Sequence, residues 1–309
     1  MCPRLAALVL PAVAVLEISD LVVAWDPRSG EQLPVRRDDV LATLRAAGDA
    51  RAARIVERMP VAGEFLDQRA VNRTLVRVHT ELQRLNEELH MAQRFAELLR
   101  PMLAATGVRR PRVVDIGCGL GFVLRSLAAS GLLGADVELV GVDGNRALVD
   151  EAARLAAAEG LPCRFVCGDA FALDEDATVY LSNGVLHHFP AASLAEFFQA
   201  QDRPGTHGFL HYDIAATPLA PFGAWLFHRA RMREPLGRHD GVASARRAHG
   251  DDVLLSAARQ AAGLDAFLFE PIRFANPFCA AMRPVLGLRP ELTDGFRRAL
   301  GRRARGLVA

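Results

Sequence analysis

Apolar residues recur at alternating spacings of three and four through Leu75, Val78, Leu82, Leu85, Leu89 and Ala92, while Arg84, Glu87 and Glu88 fall off that stripe. Such a period belongs to a helix with one buried face, so the stripe predicts one continuous helix within a helical stretch from about 38 to 106. Pro101 and the GVRRPR segment at 107–112 then interrupt the pattern, which places a boundary near residue 107. Beyond it, near-continuous apolar runs alternate with helical ones: RVVDIG at 112–117, VELVGVD at 137–143, CRFVCGD at 163–169, TVYLSN at 178–183 and GFLHYDI at 208–214, with helices near 120–130, 145–159 and 191–201. Strands of this kind separated by helices predict a parallel sheet covered on both faces, an open α/β fold. AFLFEPI at 266–272 and PFCAAM at 277–282 lie close enough to predict an antiparallel hairpin at a sheet edge.

Composition narrows the partner. The chain has 309 residues and a formal charge of +1, so no global field favours nucleic acid or an anionic membrane, and a small molecule is the expected partner. All 37 basic residues are arginine and alanine is abundant, which fits a high-GC bacterial genome. The five cysteines (Cys2, Cys118, Cys163, Cys167, Cys279) lack C-x-x-C spacing, so neither a disulfide framework nor a zinc site is implied, and a reducing cytoplasm fits best. LAALVLPAVAVL at 5–16 is too short to span a bilayer and lacks a cleavage site, so it reads as a buried segment.

Chemistry enters at VVDIGCGLGF, 113–122, where the first strand ends in Gly117-x-Gly119-x-Gly121 before a helix. Glycine serves such a turn because its backbone angles are closed to other residues and a ligand must approach without meeting a Cβ. Asp143 ends the second strand 22 residues beyond Gly121, where an acid can accept hydrogen bonds from both hydroxyls of a ribose. The spacings point to an adenosine-containing cofactor.

The G-x-G-x-G spacing, with Asp115 inside the strand two residues ahead, resembles the first motif of the class I S-adenosylmethionine-dependent methyltransferases. GDAFAL at 168–173 is similar to that family's third-strand turn, and SNGVLHHF at 182–189 to its fourth motif. DRPGTHGFLHYDI at 202–214 resembles its R-P-G-G loop and fifth strand, with Thr206 in place of the second glycine. The likeness covers about 110–283. It implies a Rossmann-like seven-stranded sheet, mostly parallel with an antiparallel last hairpin, under an N-terminal helical cap. It divides the chain into a cap at 1–106, which closes over the acceptor or forms a homodimer contact, and a cofactor-binding domain at 107–309 with a lid insertion near 217–249. It assigns S-adenosylmethionine to Asp115, Gly117, Gly119, Asp143, Asp169, Ala170 and Asn183: the glycines admit the methionine portion, Asp115 holds its ammonium, Asp143 the ribose, and Asp169 and Ala170 the adenine. Asp115 as a helix or loop cap is the plainer alternative.

In this fold, ligands sit at the carboxyl ends of the strands, and the fourth and fifth end side by side, bringing His187 and His188 opposite Asp213. Histidine titrates near neutrality, so either ring can take a hydroxyl proton while Asp213 orients it; both rings as structural groups is the alternative. Adjacent residues in such a turn should point in different directions. Phe222, Trp225, Phe227 and Met232 are candidates to line an apolar acceptor pocket, Arg238 and His239 to contact the acceptor, and RHDG at 238–241 reads as a turn. ARRAH at 245–249 and RRALGRRARG at 297–306 read as a solvated face and an exposed helix. The expected activity is methyl transfer to a hydroxyl of an aromatic, polyketide-type natural product. N- or C-methylation, a non-methylating protein of the same fold, and a nicotinamide enzyme remain open.

Overall fold

The computed structural model describes residues 15–26, 31–270 and 280–309. The first fourteen residues, and with them most of the apolar run at 5–16, lie outside the described residues. The helices are α1 (Ile18–Leu21), α2 (Arg37–Ala46), α3 (Ala50–Glu57), α4 (Gln68–Glu88), α5 (Met91–Thr106), α6 (Phe122–Ser130), α7 (Arg146–Ala158), α8 (Ala191–Gln199), α9 (Ala220–Arg231), α10 (Pro235–Arg247), α11 (Asp251–Ala258) and α12 (Pro290–Leu300). The main sheet comprises β1 (Arg112–Ile116), β2 (Glu138–Asp143), β3 (Cys163–Cys167), β4 (Val179–Asn183), β5 (Gly208–Ile214), β6 (Asp265–Phe269), β7 (Met282–Leu288) and β8 (Leu307–Val308).

Strand order across this sheet is β8-β6-β7-β5-β4-β1-β2-β3, with β1 to β5 parallel and β7 antiparallel to both β5 and β6. The last long strand, expected at 277–282, runs from Met282, and residues 277–279 lie outside the described residues. β6 and β7 pair antiparallel as expected, and two features go beyond the expected edge. β7 inserts between β5 and β6, and the short β8 pairs with β6, so the sheet has an eighth strand beyond the expected seven. The residues before it do not form a continuous helix either: α12 stops where Gly301 takes φ 58°, and a 3₁₀ turn carries the chain into β8.

Alternation along the buried strands supplies both faces. Val113, Leu181, Leu210, Tyr212 and Leu286 pack under α5, α6, α7 and α12, while Val114, Tyr180, Phe209, Leu268 and Val285 pack under α8 and α11. The apolar stripe of the sequence splits between two cores. Leu75 and Val78 on α4 join Val40, Leu44, Val56, Met232 and Leu236 in a cap core, whereas Leu89, Ala92, Phe95 and Met102 join the sheet core. The expected single helix breaks at His90, whose left-handed φ of 53° turns the chain from one core to the other. Gly107, also left-handed at φ 66°, ends α5. The boundary at 107 is thus a chain punctuation, and α5 on its N-terminal side packs on the sheet.

The insertion at 217–249 forms two helices. RHDG, expected as a turn, lies inside α10. Asp240 accepts from the Ile18 and Ser19 amides at 2.9 Å each, capping the N-terminus of α1, and His239 bridges Asp240 (2.7 Å) and Asp49 (2.8 Å). These bonds hold α1 as a strap over the carboxyl ends of the strands.

Candidate active site

The strand order reverses at β1, which has β2 on one side and β4 on the other. That switch point places the loop after β1 beside the loop after β4. In the first loop Gly117, Gly119 and Gly121 have φ of 69°, 54° and 68°, a region that disfavours side chains. A Cβ on Gly119 would lie 2.6 Å from Nδ1 of His79, and one on Gly117 would lie 2.6 Å from Val185. The Asp143 carboxylate fastens this loop to the next: Oδ2 accepts from the Gly119 amide and Oδ1 from the Asn145 amide, both at 2.8 Å. Each oxygen keeps a further lone pair for a ligand hydroxyl.

Two buried acceptor atoms here have no hydrogen-bond partner among the described residues, Oδ1 of Asp115 on β1 and Oδ1 of Asn183 on β4. Burial, reinforced by the Asp143 carboxylate, pushes the Asp115 carboxyl well above the usual range. Asn183 donates to Asn86 on α4 at 3.0 Å. Its helix therefore crosses the loops, with His79 over one and Asn86 on the other. Burial lowers the pKa of His79, opposed by the Asp143 carboxylate and aided by the neighbouring His188, which favours the neutral imidazole. Asp169 uses Oδ1 to accept from the Phe171 amide at 2.9 Å in its own turn, with Ala170 half-buried beside it. Cys118 is a packed thiol, pushed well up by burial and by Asp143 and Asp115.

β4 continues through Gly184 into a 3₁₀ turn carrying both histidines. The structure separates their tasks. The His187 ring meets Asp213 of β5, Nδ1 to Oδ1 at 2.7 Å, and its amide donates to Oδ2 at 2.9 Å; the Ile214 amide also donates to Oδ1 at 2.6 Å. His188 turns its Nδ1 to Asp20 of α1 at 3.1 Å. The rings do not diverge as expected: their centroids are 4.5 Å apart and inclined by 32°. Both stand on one side of the short turn, while their nitrogens serve different partners.

The strap adds groups that the sequence left unmarked. Glu17, buried, lies 3.8 Å from Nε2 of His187 and 3.5 Å from Nδ1 of His188, and Arg247 of α10 binds both Asp20 (2.6 Å) and Glu17 (3.3 Å). Arg247 belongs to the segment expected to be a solvated face; it also donates to the His188 carbonyl at 2.6 Å. Burial disfavours charge on His188, but the Asp20 hydrogen bond and the Glu17 and Asp20 carboxylates raise its pKa to about 9. Against the same burial, the His188 bond and the His188 and Arg247 charges hold Asp20 down at about 2. Burial pushes Glu17 up, opposed by His188, His187 and Arg247. Glu17, His187 and His188 offer ligand atoms within 4.8 Å of one another, yet Asp20, Ser244 and Arg247 already engage that set, which makes it an ion-pair network rather than a free metal cradle.

The expected acceptor lining is not assembled. Phe222 and Trp225 stack on the outer face of α9, Met232 is buried in the cap core, and His239 is spent on its two carboxylates. Trp225 instead borders a cavity of about 420 Å³ with Val15, Leu16, His239, Val242 and Arg246. The neighbouring fully buried His211 is structural: Nε2 donates to Gln201 (2.9 Å), Nδ1 accepts from Ser182 (2.8 Å), and burial holds its pKa near 3. Thr206 departs from the R-P-G-G pattern at the opposite end of β5, in a loop that Arg289 clamps through the Thr206 and Arg203 carbonyls.

Residues 113–203 match the sequence profile of the methyltransferase domain family. No curated protein matches the chain. Among solved structures it is similar to the PH0226 protein of Pyrococcus horikoshii OT3 (18% identity over 64% of this chain and 90% of that one, TM-score 0.44). It is also similar to the magnesium protoporphyrin IX methyltransferase of Synechocystis PCC 6803 with bound SAH (16%, 82% and 99%, TM-score 0.45). A third likeness is to an S-adenosylmethionine-dependent methyltransferase of Clostridium acetobutylicum ATCC 824 (11%, 68% and 98%, TM-score 0.46). The matched segment and the sheet order, with β7 antiparallel, define a class I methyltransferase domain, a class whose cofactor is S-adenosylmethionine.

Proposed function

We propose that this protein transfers a methyl group from S-adenosylmethionine to a hydroxyl oxygen of a small aromatic acceptor, with His187 as the base and Asp213 as the residue that orients it. The observation that carries this reading is the buried His187–Asp213 pair at the end of β4 and β5, beside the glycine loop. Bound S-adenosylmethionine supplies an electrophilic methyl on a sulfonium leaving group. The unpartnered oxygens of Asp115 and Asn183 suit its ammonium, an unmet buried acceptor otherwise costing about 1–3 kcal/mol. Gly117 and Gly119 turn the loop beside the methionine portion, Asp143 holds the ribose, and Asp169 and Ala170 face the adenine.

With Nδ1–H donated to Asp213, the lone pair of His187 lies on Nε2. A hydroxyl oxygen can form a triangle with Nε2 and the Glu17 carboxyl, lose its proton to Nε2 and direct its electrons at the methyl carbon. Asp213 then stabilises the imidazolium. Positioning and the base are the protein's contributions, the base adding about 10²- to 10⁴-fold. Calorimetric titration with S-adenosylhomocysteine tests the donor half: micromolar binding supports it, and no binding rejects it. For the acceptor half, S-adenosylhomocysteine release is measured across a panel of phenols, with amine acceptors alongside. Turnover confined to the amines would overturn the choice of oxygen.

A further inference from the structure

Five arginines border one cavity of about 250 Å³ on the cap: Arg51 and Arg54 of α3, Arg58 just after it, Arg229 of α9 and Arg238 of α10, with Ile55 and Pro235. Arg238 donates to the Met232 carbonyl, but among the described residues no carboxylate pairs with any of the five guanidinium groups. Nearby acids are engaged elsewhere, Glu57 with Arg45 and Glu234 with Arg77. The stretches outside the described residues contain no Asp or Glu to neutralise them. Other arginines do pair with carboxylates, as at Arg112, Arg154, Arg164, Arg247 and Arg283, and what sets these five apart is their convergence on one cavity.

The same surface carries the densest exposed apolar stripe among the described residues. Leu219, Phe222, Trp225 and Leu226 are 74%, 63%, 44% and 55% exposed, and the three- and four-residue steps run on to Arg229 at the cavity. The two features share Arg51, which borders both this cavity and the one beside Trp225.

We propose that α9 and the arginine cluster dock the protein on an anionic phospholipid surface, the apolar stripe entering the headgroup boundary and the guanidinium groups binding lipid phosphates. A soluble phosphate compound would account for the arginines and leave the stripe unexplained. A twofold dimer through this face would set five unpaired cations against five. An interfacial amphipathic helix with aromatic and cationic positions matches both features, and its charge is local, hidden within a chain of net charge +1. This inference does not depend on the methyl-transfer reading.

The full chain is floated with vesicles of pure phosphatidylcholine and with vesicles containing phosphatidylglycerol. Retention at least about tenfold higher on the anionic vesicles is expected, falling at high salt. Trp225 is one of two tryptophans, so in a Trp25→Phe variant its emission should shift blue on those vesicles alone. Arg54→Glu/Arg58→Glu and Phe222→Ser, all exposed positions, should each abolish retention while the melting temperature stays within a few degrees. Absent or charge-independent vesicle binding would overturn the proposal. So would stoichiometric binding of inorganic pyrophosphate without vesicle binding, which assigns a soluble anion. A concentration-dependent dimer dissolved by Phe222→Ser, again without vesicle binding, assigns the face to a second copy.

Discussion

The two loops that meet at the switch point treat their polar atoms in opposite ways. Around the glycine loop, Asp115 and Asn183 each keep a buried oxygen without a partner. A few residues away, Asp213 accepts from three donors and Glu17, Asp20, His188 and Arg247 are mutually engaged. Unmet acceptors are destabilising in isolation, so the first pattern suits a site completed by a ligand. Saturated charges fix geometry, and the second pattern suits a side chain whose ring orientation and tautomer must be set in advance.

Removing the proposed base should separate the two regions most sharply. His187→Ala is expected to lower turnover at least about 100-fold while donor affinity stays within a few-fold; His188→Ala should cost far less turnover. Equal losses from both variants would erase the distinction between the rings. Next in size is the donor side: Asp115→Asn should weaken S-adenosylhomocysteine binding about tenfold in calorimetry, by removing the carboxyl that a bound ammonium would ionise and pair with.

Gly119→Ala should weaken donor binding by a similar or smaller factor, because a side chain there takes φ 54° and meets His79. Combining it with His79→Ala should recover part of the loss, with a coupling of about 0.5–3 kcal/mol. Strict additivity would mean that the two residues do not share the space.

The smallest effect is the pH dependence of the strap. His188 has a folded pKa raised to about 9, so its contribution is complete below its unfolded value near 6.5 and is lost as pH rises through about 9. Asp20, held at about 2, contributes above its unfolded value near 3.8 and loses that contribution as pH falls through about 2. The hydrogen-exchange protection of α1, measured relative to the intrinsic exchange rate at each pH, should therefore be greatest between about pH 4 and 6.5. A His188→Gln variant should flatten the alkaline limb.

Much of the sheet was legible in the chain. The observed bounds of β1 to β5 lie within about two residues of the apolar runs, because strands buried on both faces leave few polar positions within them. The glycine turn and Asp143 were equally legible, since their backbone and spacing demands are local. The cap was not. His79 is one residue off its helix stripe, and Glu17, Asp20 and Arg247 carry no motif, yet the fold gathers residues more than 200 apart onto one turn. Residues expected together came apart for the same reason: Phe222 and Met232 share a segment but lie on opposite sides of the α9–α10 layer.

Periodicity, glycine spacing and the acids at strand ends thus determined by themselves the alternating α/β order and the end of the sheet where the candidate site lies. Those signals depend on neighbours within one turn or one strand. Which histidine meets Asp213, what covers it, where the last strands insert and which arginines remain unpaired are long-range packing outcomes. Only the tertiary structure decided them, because each depends on which distant side chain reaches the same place.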